Sequence, residues 1–217
     1  MFFKKKLSNY DSLTFSSPNL MFFNKKDYWS YFEEGYSKYE SDDYEGAIDD
    51  FTNSIEKKSD FEKSYYWRAQ SKYELDDFEG AIDDLTKAIE IRSEYADAFY
   101  SRGNSKTHLD DFEGAIDDFT KAIEIRFEFV DAYGDRGRCK AQLDDFEGFQ
   151  ADFKKAIELA SKYSSSEELN ILYGDFYYCH AIFKNEKEDF KGAKNDLTIA
   201  ASYGSEEAKK TLLTYDI

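Results

Sequence analysis

From Tyr28 to Tyr203 the apolar residues recur at three- and four-residue intervals, with none of the alternation that a strand requires. In the stretch beginning at Glu62, Tyr65 and Ala69 lie one helical turn apart. After Asp76-Asp77, a second stripe follows at Ala81, Leu85 and Ala88. The spacing predicts two antiparallel helices, the first (helix A) over about Lys63 to Leu75 and the second (helix B) from after Asp77 to near Ile91. Asp77 is the expected N-cap of helix B, because its carboxylate can accept from an orphan amide of the first turn. Glu79, in that same turn, suits the positive end of the helix dipole.

This two-helix pattern is repeated. The segment Asp43-Tyr44-Glu45-Gly46-Ala47-Ile48-Asp49-Asp50 recurs at Asp77 to Asp84, at Asp111 to Asp118 and more loosely from Asp145, at a spacing of 34 residues. A degraded fifth copy starts at Asp189, ten residues late. The units are therefore placed at 28–61, 62–95, 96–129, 130–163 and 174–203, with an insertion at 164–173. Small residues occupy one position of helix A in every unit (Gly35, Ala69, Gly103, Gly137, Ala181) and two positions of helix B. Those on helix B are Ala47, Ala81, Ala115 and Ala193, with Phe149 the exception, and Ser54, Ala88, Ala122, Ala156 and Ala200. Large residues alternate with them at Tyr31, Tyr65, Phe99, Tyr133 and Tyr177, and at Phe51, Leu85, Phe119, Phe153 and Leu197. A phenylalanine where alanine is the rule should force the fourth unit to open or shift, so Phe149 is expected to be overpacked.

With a period of 34 residues and this arrangement of small and large positions, the chain resembles the tetratricopeptide-repeat (TPR) family over about Tyr28 to Tyr203. The resemblance implies an all-α fold, a right-handed α-α superhelix of about five helix pairs. Ser205 opens a closing helix through Tyr215, within a capping segment at 204–217. Three departures from the family pattern stand out. The proline near the end of each unit is missing. Helix A carries Arg68, Arg102 and Arg136 where leucine is common, and Lys38, Lys72, Lys106, Lys140 and Lys184 one turn later. Helix B carries an aspartate in every unit: Asp50, Asp84, Asp118, Asp152 and Asp196. These charges are expected to form a ladder of ion pairs between the two helices, and the pattern looks like a bacterial-type variant of the repeat.

The ends and the insertion are less regular. Residues 1–27 hold the only proline, Pro18, and are read as a mobile tail in which Met21 is a second candidate start. Ser165 with Glu168 is a capping-box pattern that should lengthen helix A of the last unit. Leu169, Leu172, Tyr173 and Phe176 give that extension an apolar stripe that needs a partner.

Charge narrows the function. With 29 basic against 46 acidic residues the net charge is −17, which repels phosphate backbones and anionic lipid, so neither nucleic acid nor a membrane is an expected partner. The first residues, Met1 to Leu7, lack the apolar core of a secretory leader, which makes the cytoplasm the expected compartment. Two cysteines, Cys139 and Cys179, do not make a disulfide framework and are read as reduced packing residues. The acidic helix starts superficially suggest a calcium loop. Aligned on Gly80, however, Leu75 and Thr86 fall where that loop needs carboxylates. With only His108 and His180 available and no phosphate-cradling glycine loop, no catalytic constellation and no cofactor is expected.

What the resemblance implies instead is protein binding. In the family the A helices line a concave groove, and at the corresponding positions stand Phe32, Tyr36, Tyr39, Tyr66, Trp67, Tyr73, Tyr100 and Tyr178. Aromatics are enriched at binding hot spots. The family's carboxylate clamp is excluded, since Tyr36, Gln70, Asn104, Arg138 and Ile182 do not supply it. Glu33, Glu40, Glu74, Asp97, Asp131 and Asp135 should rim the groove and favour a basic or aromatic-bearing segment of another protein. The expectation is a scaffold or adaptor without enzymatic activity. A structural subunit that associates with itself is the alternative.

Overall fold

The computed structural model describes residues 26–163 and 165–215. The expected tail up to residue 25, with Met21, lies outside the described residues, as does the Glu168 side chain on which the capping box rests. The described residues form eleven helices and no strand. They are α1 (Tyr28–Tyr39), α2 (Tyr44–Lys57), α3 (Glu62–Glu74), α4 (Phe78–Ile91), α5 (Ala96–His108) and α6 (Phe112–Ile125), followed by α7 (Val130–Gln142), α8 (Phe146–Tyr163), α9 (Ser166–Glu186), α10 (Phe190–Ser202) and α11 (Glu206–Tyr215). Odd-numbered helices up to α9 are the A helices and even-numbered ones the B helices.

Each B helix starts in the same way. Asp77 Oδ1 accepts from Gly80 N at 3.0 Å, and Asp43, Asp111, Asp145 and Asp189 repeat the bond to Gly46, Gly114, Gly148 and Gly192. Glycine leaves room at those sites for the capping carboxylate, since a Cβ at Gly80 would lie 2.2 Å from Asp77 Oδ2. The residue before each cap, Asp42, Asp76, Asp110, Asp144 or Glu188, turns the chain with φ near +60° (58° to 62°), a region in which aspartate is several-fold enriched among residues with a side chain.

Inside each unit, helix A meets helix B at paired positions whose volumes compensate. Gly35, Gly103 and Gly137 face Phe51, Phe119 and Phe153, and a Cβ at Gly103 would come within 2.7 Å of the Phe119 ring. Where the B-helix residue is the smaller Leu85 or Leu197, the A-helix residue is Ala69 or Ala181. The buried core runs along this seam from Ala47 to Ala208.

The ion-pair ladder is present and more buried than a surface ladder. Arg68 grips Asp84 with two parallel bonds (Nε to Oδ2, 2.8 Å) while Lys72 Nζ sits 2.8 Å from the same carboxylate, and Asp84 is only 4% exposed. Arg102 and Lys106 hold Asp118, and Arg136 and Lys140 hold Asp152, in the same geometry. The third guanidinium nitrogen does something the pattern did not disclose, since it reaches back to the preceding unit. Nη1 of Arg68, Arg102 and Arg136 donates at 3.0 Å to Thr52, Thr86 and Thr120. One side chain thus ties helix A to its own helix B and to the helix B before it. The missing proline has a substitute too. Lys58 lies over the Tyr28 and Phe61 rings, Arg92 over Tyr95 and Arg126 over Phe129, the last at 3.6 Å, which fixes the turn between units with a cation on an aromatic face.

The junction between α8 and α9 has none of these ties. Lys154 replaces the threonine, His180 replaces the arginine and Ala160 replaces the cation of the turn. Aromatic stacking holds the junction instead. Phe149 is fully buried and stacks on Phe176 of α9 at 5.4 Å, and Phe146 stacks on Phe183 at 3.9 Å with the rings nearly parallel. The expected overpacking of Phe149 is corrected by this arrangement, for its ring points into the space between two units and serves as their joint. The stripe on the lengthened α9 is also accounted for, with Leu172 against Gly134, Tyr173 on Tyr203 and Phe176 on Phe149. At the other end Asp27 caps α1 and Lys26 pairs with Glu34, which stands at the arginine position of the first unit. Ser205 Oγ accepts from Ala208 N at the start of α11.

Candidate partner-binding face

Consecutive A helices touch one another from α1 through α9, whereas the B helices do not form such a row. A stack that is tighter along its A helices bends around them, so the A helices line the inner side. Helical periodicity then decides which of their residues reach that side, and the eight expected residues separate into distinct settings.

Tyr36, Tyr39 and Trp67 form one cluster across α1 and α3. The Trp67 ring stands edge-on to both tyrosines, with centroids 4.8 Å from Tyr36 and 5.1 Å from Tyr39. All three are partly buried. Tyr66 extends the cluster at 5.4 Å from Trp67, packs on Tyr95 and accepts from Gln70 Nε2 at 3.1 Å. Phe32 is 8% exposed and lies beneath, in the core with Phe51 and Phe61, so it supports the wall. Tyr73 stands apart, bonded to His108 Nε2 at 2.7 Å, with His108 stacked on Phe78. Tyr100 donates to Asp135 Oδ2 at 2.6 Å and packs on Phe129. Tyr178 is partly buried against the core of the last unit.

Carboxylates frame the first cluster. Burial raises the Tyr36 and Tyr39 phenols above their ordinary range, and the negative charges of Glu40 on Tyr36 and of Glu74 on Tyr39 add to it. The phenols therefore stay neutral and present ring faces and O–H donors at physiological pH. Glu33, Glu40 and Glu74 are exposed and have no cationic partner among the described residues.

Further along, three acids are neutralised. Asp97 pairs with Arg126 at 2.6 Å, and Arg138 pairs with Asp135 and, at 3.1 Å, with Asp175. Burial pushes the Asp175 carboxyl up while Arg138 pulls it down. Beside this network lies a cavity of about 180 Å³ lined by Asn104, Thr107, Phe112, Asp135, Arg138, Cys139 and Gln142. The pattern of positions did not reveal this network, because Asp175 and Arg138 belong to units separated by the insertion. Cys139 and Cys179 are unpaired, and burial raises both thiols, that of Cys179 to about 11, so neither is poised as a thiolate. Among the described residues no group of three or more acidic, histidine or cysteine side chains could hold a metal, and no helix is long and apolar enough to cross a membrane.

The family model described as tetratricopeptide repeat matches residues 62–95, 96–129 and 130–163. No curated protein matches the chain. Among solved structures it is similar to YrrB, described as a TPR protein with an unusual peptide-binding site, at 20% identity and a TM-score of 0.69 over 86% of this chain and 94% of that one. It is similar to MamA at 18% identity and a TM-score of 0.66 over 81% and 96%. The first TPR domain of Spaghetti, solved with the HSP90 peptide SRMEEVD, aligns with 54% of this chain and 94% of its own at 21% identity, with a TM-score of 0.54. The likeness in fold extends beyond the three matched units, and the helix pairs, their small-residue seam and the 34-residue step agree with it: residues 62–163 are three tetratricopeptide repeats, set in a helical solenoid with the fold of TPR proteins.

Proposed function

We propose that the chain is a protein-interaction scaffold that binds an extended or helical segment of a partner on the inner face of α1 and α3, and that the segment carries both lysine or arginine and aromatic or aliphatic side chains. The observation that carries this reading is the cluster of Tyr36, Tyr39 and Trp67 flanked by Glu40 and Glu74. Ring faces attract cations by their quadrupole, the two carboxylates add charge attraction, and the half-buried ring edges offer apolar area. Solved relatives of the same fold bind peptides, which supports the class of function. The peptide of the Spaghetti complex is acidic, and one of that charge would be repelled by Glu33, Glu40 and Glu74.

A peptide array graded in charge and aromatic content tests the proposal. Basic aromatic peptides should be retained and acidic ones not. Trp67→Ala should weaken retention by more than tenfold, because truncating a central hot-spot aromatic costs about 2 kcal/mol or more. Replacing Asp83 and Asp117 on the outer face by serine should change nothing. Retention that survives Trp67→Ala and disappears with the outer-face variant would move the site to the other side of the solenoid.

A further inference from the structure

The charge of this chain is not evenly distributed. Residues 1–25 contain Lys4, Lys5, Lys6 and Lys25 against the single Asp11, so the net charge of −17 divides into +3 for this segment and −20 for the remainder. The segment begins Met1-Phe2-Phe3-Lys4-Lys5-Lys6-Leu7, two aromatic rings followed directly by three cations. That is the chemistry to which the inner face of α1 and α3 is complementary: rings for the edges of Tyr36, Tyr39 and Trp67, and ammonium groups for Glu33, Glu40 and Glu74.

Reach is compatible with the match. The segment joins the fold at Lys26, which is anchored to Glu34 immediately before α1. The site lies on the second half of α1 and on α3, and a helix of 12 residues is about 18 Å long at 1.5 Å per residue. The chain between Lys6 and Lys26 spans at most about 70 Å at 3.3 to 3.6 Å per residue, several times what is needed. A tether of that size converts binding into an intramolecular step with an effective concentration on the order of millimolar, so even weak complementarity gives occupancy.

We propose that Phe2 to Lys6 of the same chain occupies the Tyr36, Tyr39 and Trp67 site, so that a partner segment binds by displacing it. The proposal rests on the reading of this face as a peptide site and names its resident competitor. Such an arrangement makes the affinity for partners depend on the amino-terminal lysines, although these lie outside the helical repeat. It also discriminates among partners, since only a segment that is more basic or more aromatic than Phe2 to Lys6 displaces it.

Two measurements on the full chain test it. Zero-length carbodiimide coupling of an equal mixture of 15N-labelled and unlabelled chains, read by mass spectrometry, should give amide links from Lys4, Lys5 or Lys6 to Glu33, Glu40 or Glu74 within single chains. Links to Asp49, Asp83 or Asp117 on the outer face would overturn the proposal. So would links only between labelled and unlabelled chains, which would assign the occupant to a second copy, or no links from these lysines. In the second measurement a fluorescent peptide of residues 1–12 is titrated into the wild-type chain, into K4E/K5E/K6E and into Trp67→Ala. The charge-reversed chain, its own segment repelled, should bind the peptide at least tenfold more tightly than wild type. Equal affinity for those two chains, with loss in Trp67→Ala, would overturn self-occupancy and leave the peptide site standing. Binding unaffected by Trp67→Ala would overturn the site itself, and self-occupancy with it.

Discussion

Units one to three and units four and five are copies of one repeat that solve the same two problems differently. At the junctions between the first four units, an arginine joins three helices and a cation on an aromatic ring secures the turn. At the last junction both are replaced by stacked phenylalanines. On the inner face, Glu33, Glu40 and Glu74 of α1 and α3 have no cationic partner among the described residues, whereas Asp97, Asp135 and Asp175 of α5, α7 and α9 are held by Arg126 and Arg138. Polar groups that satisfy each other stabilise the fold and offer a partner little, because a ligand must first break what it replaces. Charges and ring edges left without a partner are available for recognition.

The largest loss is expected at the aromatic junction. Phe149→Ala should destabilise the protein by about 3 to 5 kcal/mol, the usual cost of deleting a buried ring, as read by urea unfolding. A neutral result would mean that the ring is not the joint between units four and five. At a clipped junction, Asp118→Ala leaves Arg102 and Lys106 without their buried counter-ion and should cost about 3 kcal/mol. In a double-mutant cycle, Arg102 should couple both to Asp118 and, across the unit boundary, to Thr86. Coupling to Asp118 alone would remove the inter-unit role.

A smaller effect tests the volume rule along the seam. Gly103→Ala should cost about 1 to 3 kcal/mol by overpacking the Phe119 ring, and adding Phe119→Leu should restore much of the loss by recreating the Ala69 and Leu85 pair. The smallest effect belongs to His180, whose pKa burial lowers despite the nearby Asp196, with Lys184 adding to the depression. Its neutral form is favoured on folding, so the stability it lends is present above its unfolded pKa, near 6.5, and is lost as pH falls through the folded value. Between pH 7.5 and 5.5 the melting temperature of His180→Gln should accordingly fall less than that of the wild-type chain.

Much of this architecture was legible in the sequence, because the repeat states each rule several times. Asp77 and its four equivalents could be named as caps, and the Arg68, Lys72 and Asp84 set as a ladder, since a pattern that recurs every 34 residues separates shared constraint from accident. What occurs once was not legible. Phe149 read as an error in its own unit because its partner, Phe176, lies beyond the insertion and out of register. The back-bonds to Thr52, Thr86 and Thr120 were hidden for a different reason, since they connect one unit to the next and a unit-by-unit reading does not pair them. The position rule named aromatic residues of the A helices, but it could not tell Phe32, buried as support, from Trp67, nor the acids that are neutralised from those that are not.

Whether the unpaired acids of α1 and α3 recognise a partner is addressed by one titration. The affinity of a basic aromatic peptide retained by the array is to be measured by calorimetry for Glu40→Gln with Glu74→Gln and for Asp135→Asn, each in the full chain. The first variant should lose at least tenfold in affinity with a weaker salt dependence, and the second should bind as the wild type does. If Asp135→Asn loses the peptide and the Glu40 and Glu74 variant keeps it, the recognition surface lies in the half of the inner face whose charges are already paired.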